Sequence, residues 1–255
     1  MNSNSATYGG GAYSATLNNC TLSGNSASNY GGGVNGGVLN NCIVYYNTSF
    51  LDANYSAASL NNCCTTPLPS GGTGNFTNSP LFLDLAGGNL RLQSNSPCIN
   101  AGNNAYVQGS TDLDGNPRII GGTADIGAYE FQSPTSLISY QWLLQYELLM
   151  DGSVDFADLD GDGMNNYQEW RGGTTPTDAL SGLKMLAPSP SPSGITAQWQ
   201  SVSGVTYFLQ RATNLSVQPA FASVKSNIMG QAGTTIYTDT NASGTGPFFY
   251  RVGVH

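Results

Sequence analysis

The tetrapeptide Leu-Asn-Asn-Cys occurs three times, at Leu17 to Cys20, Leu39 to Cys42 and Leu60 to Cys63, with spacings of 22 and then 21 residues. A unit this short cannot enclose a core of its own. It can bury its apolar side only by stacking on the next copy, which restricts residues 1–132 to a solenoid. The repeat also extends beyond four letters. Gly9-Gly10-Gly11 precedes the first copy, Gly31-Gly32-Gly33 precedes the second, and Asn25 and Asn47 follow their copies at equal offsets.

Within Thr16-Leu17-Asn18-Asn19-Cys20-Thr21-Leu22 apolar and polar residues alternate with roughly period two, which predicts one strand with a single face inward. Stacked units then bring Cys20, Cys42 and Cys63 into one file and Asn19, Asn41 and Asn62 into another, with neighbours about 4.8 Å apart. Each Asn amide is expected to bond to the next. The glycine triplets fall at bends that need positive φ or close backbone approach. The expected fold class is mainly β: the last coils of a right-handed parallel β-helix, then a small helical calcium-loop module, then a β-sandwich. The predicted boundaries are 1–132, 133–181 and 182–255. Disorder, the competing reading of a chain rich in glycine and poor in charge, is opposed by 39% hydrophobic residues and a periodic apolar file.

A net charge of −8 argues against nucleic acid or an anionic membrane as partner. The sequence has no run of 18 apolar residues, which predicts no membrane span. Met1-Asn2-Ser3-Asn4-Ser5 lacks the features of a signal peptide, yet a repeat begins within ten residues of Met1. The expectation is a secreted or cell-surface protein whose leader and further coils lie upstream, with this chain a monomeric module of the whole. None of Cys20, Cys42, Cys63, Cys64 and Cys98 has metal-site spacing. The first three are expected as small stacked core residues, and Cys64 with Cys98 as a disulfide or as free thiols.

Further along, Asn78-Ser79-Pro80-Leu81-Phe82-Leu83-Asp84, Asn89-Leu90-Arg91-Leu92 and Ser96-Pro97-Cys98-Ile99-Asn100-Ala101-Gly102 precede two acidic runs. These are Asp112-Leu113-Asp114-Gly115-Asn116-Pro117-Arg118 and Asp125-Ile126-Gly127-Ala128-Tyr129-Glu130-Phe131. The order resembles the choice-of-anchor Q domain, a terminal β-helix module of large secreted bacterial proteins. The resemblance implies a segment that closes the helix and leads to a C-terminal attachment region. Arg118 is expected to form a structural ion pair with Asp112, Asp125 or Glu130.

Parallel β-helices of the pectin lyase-like fold include polysaccharide lyases and hydrolases, so acid and base positions matter. No Lys or Arg precedes Arg91, and the acids before it, Asp52 and Asp84, are not separated by a whole number of repeats. The single histidine is the terminal His255. No catalytic residues are predicted. Tyr8, Tyr13, Tyr30, Tyr45 and Tyr46 offer aromatic surface to a sugar or serve as ordinary outward residues.

The strongest chemical motif is Asp158-Leu159-Asp160-Gly161-Asp162-Gly163-Met164-Asn165-Asn166-Tyr167-Gln168-Glu169, which fits D-x-D-x-D-G-x5-E. Ca²⁺ takes six to eight oxygens. The predicted ligands are Asp158, Asp160 and Asp162, the Met164 carbonyl, Asn166 directly or through water, and a bidentate Glu169. With Thr174-Thr175-Pro176-Thr177-Asp178 after it, the run resembles the single calcium loops of the thrombospondin type 3 and dockerin-like kind. Helices are predicted at 137–149 and from Asn165 to Trp170.

From Leu183 onward, β-rich runs around Trp199, Tyr207 and Tyr250 resemble a fibronectin type III-like or immunoglobulin-like sandwich. Trp199 and Tyr250 are expected in its core, and Pro188, Pro190 and Pro192 in a stiff turn or short linker between the first strand and the next. The functional expectation is a non-catalytic structural or adhesive piece, with Ca²⁺ rigidifying the joint. The partner is a polysaccharide or another surface protein. The alternatives are a polysaccharide-active enzyme with catalytic coils upstream, or a carbohydrate-binding appendage.

Overall fold

The computed structural model describes residues 1–243 and 246–254. The chain is mainly β and divides into two compact units, Met1–Asp155 and Phe156–His255. The division falls inside the segment 133–181.

Ten short strands occupy the repeat region: β1 (Ser5–Tyr8), β2 (Ala12–Asn18), β3 (Thr21–Ser23), β4 (Ser26–Tyr30), β5 (Val34–Asn40), β6 (Ile43–Tyr45), β7 (Thr48–Leu51), β8 (Tyr55–Ser56), β9 (Ser59–Asn61) and β10 (Cys64–Thr65). They form three parallel sheets, ordered β1-β4-β7, β3-β6-β10 and β2-β5-β8, with β9 also on β5. The pairing register is the sequence repeat itself. Leu17 lies beside Leu39 and Leu39 beside Leu60, and Asn18, Asn40 and Asn61 align in the same way. Leu22, Val34, Leu39, Cys42, Val44, Leu60 and Cys63 fill the interior.

The tetrapeptide works differently from the period-two expectation. Residues 16–22 are two strands, not one, because Asn19 bends the chain with φ +49°, as Asn41 and Asn62 do with +51° and +47°. Asparagine tolerates this left-handed conformation better than most residues. The amide file runs instead through the first Asn of each pair: Asn40 Nδ2 donates to Asn18 Oδ1 (2.8 Å) and Asn61 Nδ2 to Asn40 Oδ1 (3.0 Å). A second, deeper file links Asn4, Asn25, Asn47 and Asn54 through their amides at 2.9, 2.9 and 3.1 Å. Cysteine closes each bend. The thiols of Cys20, Cys42 and Cys63 donate to the carbonyls of Asn18, Asn40 and Asn61 at 3.3, 3.2 and 3.3 Å. All five cysteines are free, including Cys64, whose thiol donates to Asn78 O. At Gly33 a Cβ would sit 2.3 Å from Asn54 O, which explains the glycine triplet better than flexibility does.

After the repeats, β11 (Phe82–Asp84) and β12 (Asn89–Leu92) form an antiparallel pair. The chain then runs irregularly against the Asn corner, where Asn41 exchanges two hydrogen bonds with Asn103 (2.8 and 2.9 Å). Three carboxylates pin this segment. Asp125 accepts from the Asn100 and Phe131 amides, Glu130 from those of Ile120 and Asp125, and Asp112 from those of Asp114, Asn116 and Glu130. Burial pushes Asp125 up to about 7 and Glu130 up to about 8. The expected ion pair of Arg118 with one of them does not form. Arg118 Nη2 donates instead to the Asp125 and Gly127 carbonyls at 3.0 and 2.7 Å. The Asp125 and Glu130 oxygens face backbone N–H groups, and the guanidinium lies against backbone carbonyls instead. Helix α1 covers only Tyr140–Gln145, shorter than predicted, because Glu147 turns left-handed at φ +56°.

In the second unit α2 (Asn166–Gly172) precedes β13 (Met185–Ser191), β14 (Gly194–Ser201), β15 (Thr206–Ala212), β16 (Ala222–Met229), β17 (Gly233–Asp239) and β18 (Phe249–Val254). They form two antiparallel sheets, β13-β14-β17 and β16-β15-β18, which share a core of Ala197, Trp199, Tyr207 and Leu209 with Tyr250 packed against it. Pro192 lies in the turn between β13 and β14, as expected, whereas Pro188 and Pro190 lie in β13. They are tolerated there because β13 pairs on one side only and its register shifts between Leu186 and Ser189. Among the described residues no helix is long and apolar enough to cross a membrane.

Candidate metal centre

The loop 158–169 is built from the start of α2 backward. Asn165 caps the helix in a reciprocal capping box: its side chain accepts from Gln168 N, and Gln168 Oε1 accepts from Asn165 N, both at 2.9 Å. Gly173 ends the helix in the left-handed region, at φ +69°. The box fixes where the helix begins and so orients Glu169 one turn in. At the other end, Asn166 N donates to Ala157 O (2.9 Å), which closes the loop on itself.

Between these points the aspartates curl the backbone around their own carboxylates. Asp158 accepts from the Gly161 and Gly163 amides at 2.8 and 3.0 Å, Asp160 from Asp162 N at 3.2 Å, and Asp162 from Met164 N at 2.7 Å. Gly161 and Gly163 carry φ of +76° and +95°, where L side chains are strained. The result brings one oxygen each from Asp158, Asp160 and Asp162 within 4.8 Å of one another. Of the six predicted ligands, these three are brought together directly.

Glu169 is fully buried, and its charge is unwelcome there. Desolvation first, then repulsion from Asp160, Asp162 and Asp158, push its carboxyl up to about 7. Its Oε2 accepts no hydrogen bond, and neither does the buried Oδ2 of Asp160. Buried polar atoms without partners are uncommon in folded proteins and call for a specific explanation. A cation bound by the loop would supply one. The donor set is all oxygen and strongly anionic, which suits a hard cation and not a soft or imidazole-seeking one. Met164 and Asn166 continue the loop into α2, with Asn166 buried.

Three neighbours lie outside the twelve-residue motif. Thr174 Oγ1 lies 3.5 Å from Glu169 Oε1, a Cβ on Gly182 would fall 2.5 Å from Asp162 Oδ2, and Leu183 N donates to Met164 Sδ at 3.2 Å. The segment 174–183 thus packs against the loop and runs directly into β13.

Elsewhere, Asp52 accepts from Ser56 Oγ and Asp84 from Gly87 N, each holding a local turn. The tyrosines divide into two groups. Tyr45 and Tyr46 bond to Thr77 and Ser79, whereas Tyr8 and Tyr30 stack in the open, 6.2 Å apart with planes inclined by 5°. Tyr13 is 64% exposed. Comparisons of the chain with protein-family models, curated proteins and solved structures find no match.

Proposed function

We propose that this chain is a non-catalytic structural or adhesive piece of a secreted or surface protein, in which a bound Ca²⁺ stiffens the segment between two β regions. In this reading the repeat region contributes the last coils of a right-handed parallel β-helix. The parallel pairing at 21 to 22 residues and the two Asn files support that. The two facing sheets of the second unit are read as a fibronectin type III-like or immunoglobulin-like sandwich, supported by the core around Trp199.

The observation that carries the calcium reading is the buried, unpartnered Glu169 Oε2 beside three converging aspartates. Asp158, Asp160, Asp162, the Met164 carbonyl, Asn166 and Glu169 supply the oxygens. Because 174–183 packs on the loop and continues into β13, ordering the loop also orders the entry to the terminal sheets. Calorimetric titration is expected to show one Ca²⁺ site and a rise in melting temperature. An unchanged melt on adding chelator to calcium-loaded protein refutes the reading.

One observation favours a second reading, a carbohydrate-binding appendage: the exposed, parallel Tyr8–Tyr30 stack has the form of a sugar platform. Glycan-array binding lost in Tyr30→Ala, without turnover, would support it.

A further inference from the structure

Gly182 lies well outside the loop motif, yet it abuts one of the loop's carboxylates. A Cβ placed on it would fall 2.5 Å from Asp162 Oδ2 and 3.8 Å from Met164 Sδ. Its φ is not in the left-handed region, so backbone conformation does not call for glycine here. The close approach to Asp162 does. Asp162 is also held on its other side, where Oδ1 accepts from Met164 N at 2.7 Å. The carboxylate thus sits between the loop backbone and Gly182.

The segment that carries Gly182 is fixed from both directions. Thr175 N donates to Ser181 Oγ at 3.0 Å and Ser181 N to Asp178 O at 2.7 Å, closing a turn before it. After it, Leu183 N donates to Met164 Sδ at 3.2 Å, and the Leu183 side chain packs on the Trp199 core. Lys184 O then accepts from Gln200 N at 2.9 Å. Retreat of this backbone would break contacts on both sides of residue 182. A side chain there is accommodated at least cost by Asp162, which changes rotamer and gives up no more than the Met164 amide.

We propose that Gly182 is a positioning residue for the cation of the loop: its lack of a side chain keeps Asp162 turned toward Asp158 and Asp160 as a ligand. The inference rests on the calcium reading of the loop, and so on the buried, unpartnered Glu169 Oε2 and Asp160 Oδ2 beside the converging aspartates. It adds a requirement that the twelve-residue motif does not contain. Displacing the Asp162 carboxylate costs one hydrogen bond in the cation-free protein and a ligand in the loaded one. Groups that orient metal ligands from outside change affinity by about 10- to 100-fold when replaced.

The test is calorimetric titration of the full chain and of its Gly182→Ala variant with calcium chloride, together with thermal melts of both in chelator. Gly182→Ala should bind calcium about 10- to 100-fold more weakly than the wild type. In chelator it should melt within about 8 °C of the wild type, as the loss of one hydrogen bond implies. A merely structural glycine would lower the melt in chelator and leave the affinity of the folded protein alone. Equal calcium affinity in the two proteins overturns the proposal, and so does a larger fall in the chelator melt or failure of the variant to fold. If the wild type itself takes up no calcium, the reading of the loop fails and this inference with it; calcium uptake undiminished in Gly182→Ala fails this inference alone.

Discussion

Replacing Glu169 with Gln separates the cost of the buried acid from its benefit as a ligand. Glu169 rises from 4.5 to about 7 in the fold, and one unit is worth about 1.4 kcal/mol. The sign follows from the raised value. The folded state holds the proton more tightly than the unfolded chain does, so the fold is favoured below about pH 4.5 and the advantage is lost as pH rises through 7. At neutral pH without a cation, ionised Glu169 therefore costs up to about 3 kcal/mol, which Gln does not. At about 4–8 °C per kcal/mol for a unit of this size, E169Q should melt up to about 12–24 °C above the wild type in chelator. The difference should vanish near pH 4.5. With calcium at a thousand times its dissociation constant the wild type gains about 4.1 kcal/mol, and E169Q, lacking the bidentate anion, gains much less. The order of the two melts should then reverse. Differential scanning calorimetry of both proteins, with and without chelator, reads all four states. If E169Q melts below the wild type in chelator, or gains as much from calcium, the reasoning fails.

In the repeat region, Asn47→Ala removes an amide that donates to Leu22 O, Tyr45 O and Asn54 Oδ1 and accepts from Asn25. A loss of about 3 kcal/mol is expected, at roughly 1–3 kcal/mol per orphaned buried group, measured by urea denaturation. Gly32→Ala would place a Cβ 2.1 Å from Thr48 O, and should cost about 2–3 kcal/mol, while Gly71→Ala, with nothing within 4 Å, should stay within about 0.5 kcal/mol. Asp125 and Glu130 are both raised, so the first unit should lose stability as pH rises from about 4 through about 8 and level off beyond. All five cysteines lie in that unit, so a thiol-labelling pulse at fixed pH after urea equilibration reads it alone, and Glu130→Gln should flatten the decline.

What the sequence made legible was spacing. A 22-residue step sets which residues stack, and the parallel register follows it position by position. Composition within the unit was less readable, because period two does not reveal a bend. Whether Asn19 continues a strand or adopts positive φ depends on the corner that the neighbouring repeat imposes, and only the three-dimensional stack decides it. Pro188 and Pro190 misled for a related reason. A proline excludes a central strand but not an edge, and which strand lies at an edge is a property of sheet order. The convergence of Asp158, Asp160 and Asp162 was legible because the glycines and acids of the loop act within twelve residues. Gly182, which also packs against it, acts from outside the motif and left no pattern to find.

Two acidic clusters in this chain have nearly the same composition and opposite physical states, and the difference separates a brace from a site. In Asp112, Asp125 and Glu130 every carboxylate oxygen accepts a backbone amide, so the charges are already spent on holding an irregular segment in place. Those oxygens already have donors, so nothing there calls for a cation. In the loop the aspartates also accept amides, but Glu169 Oε2 and Asp160 Oδ2 are buried with nothing to accept. Desolvated oxygens without donors are stabilised by a cation at no cost in existing bonds. That asymmetry, which no count of acids along the sequence reveals, is why we propose the loop as the cation site.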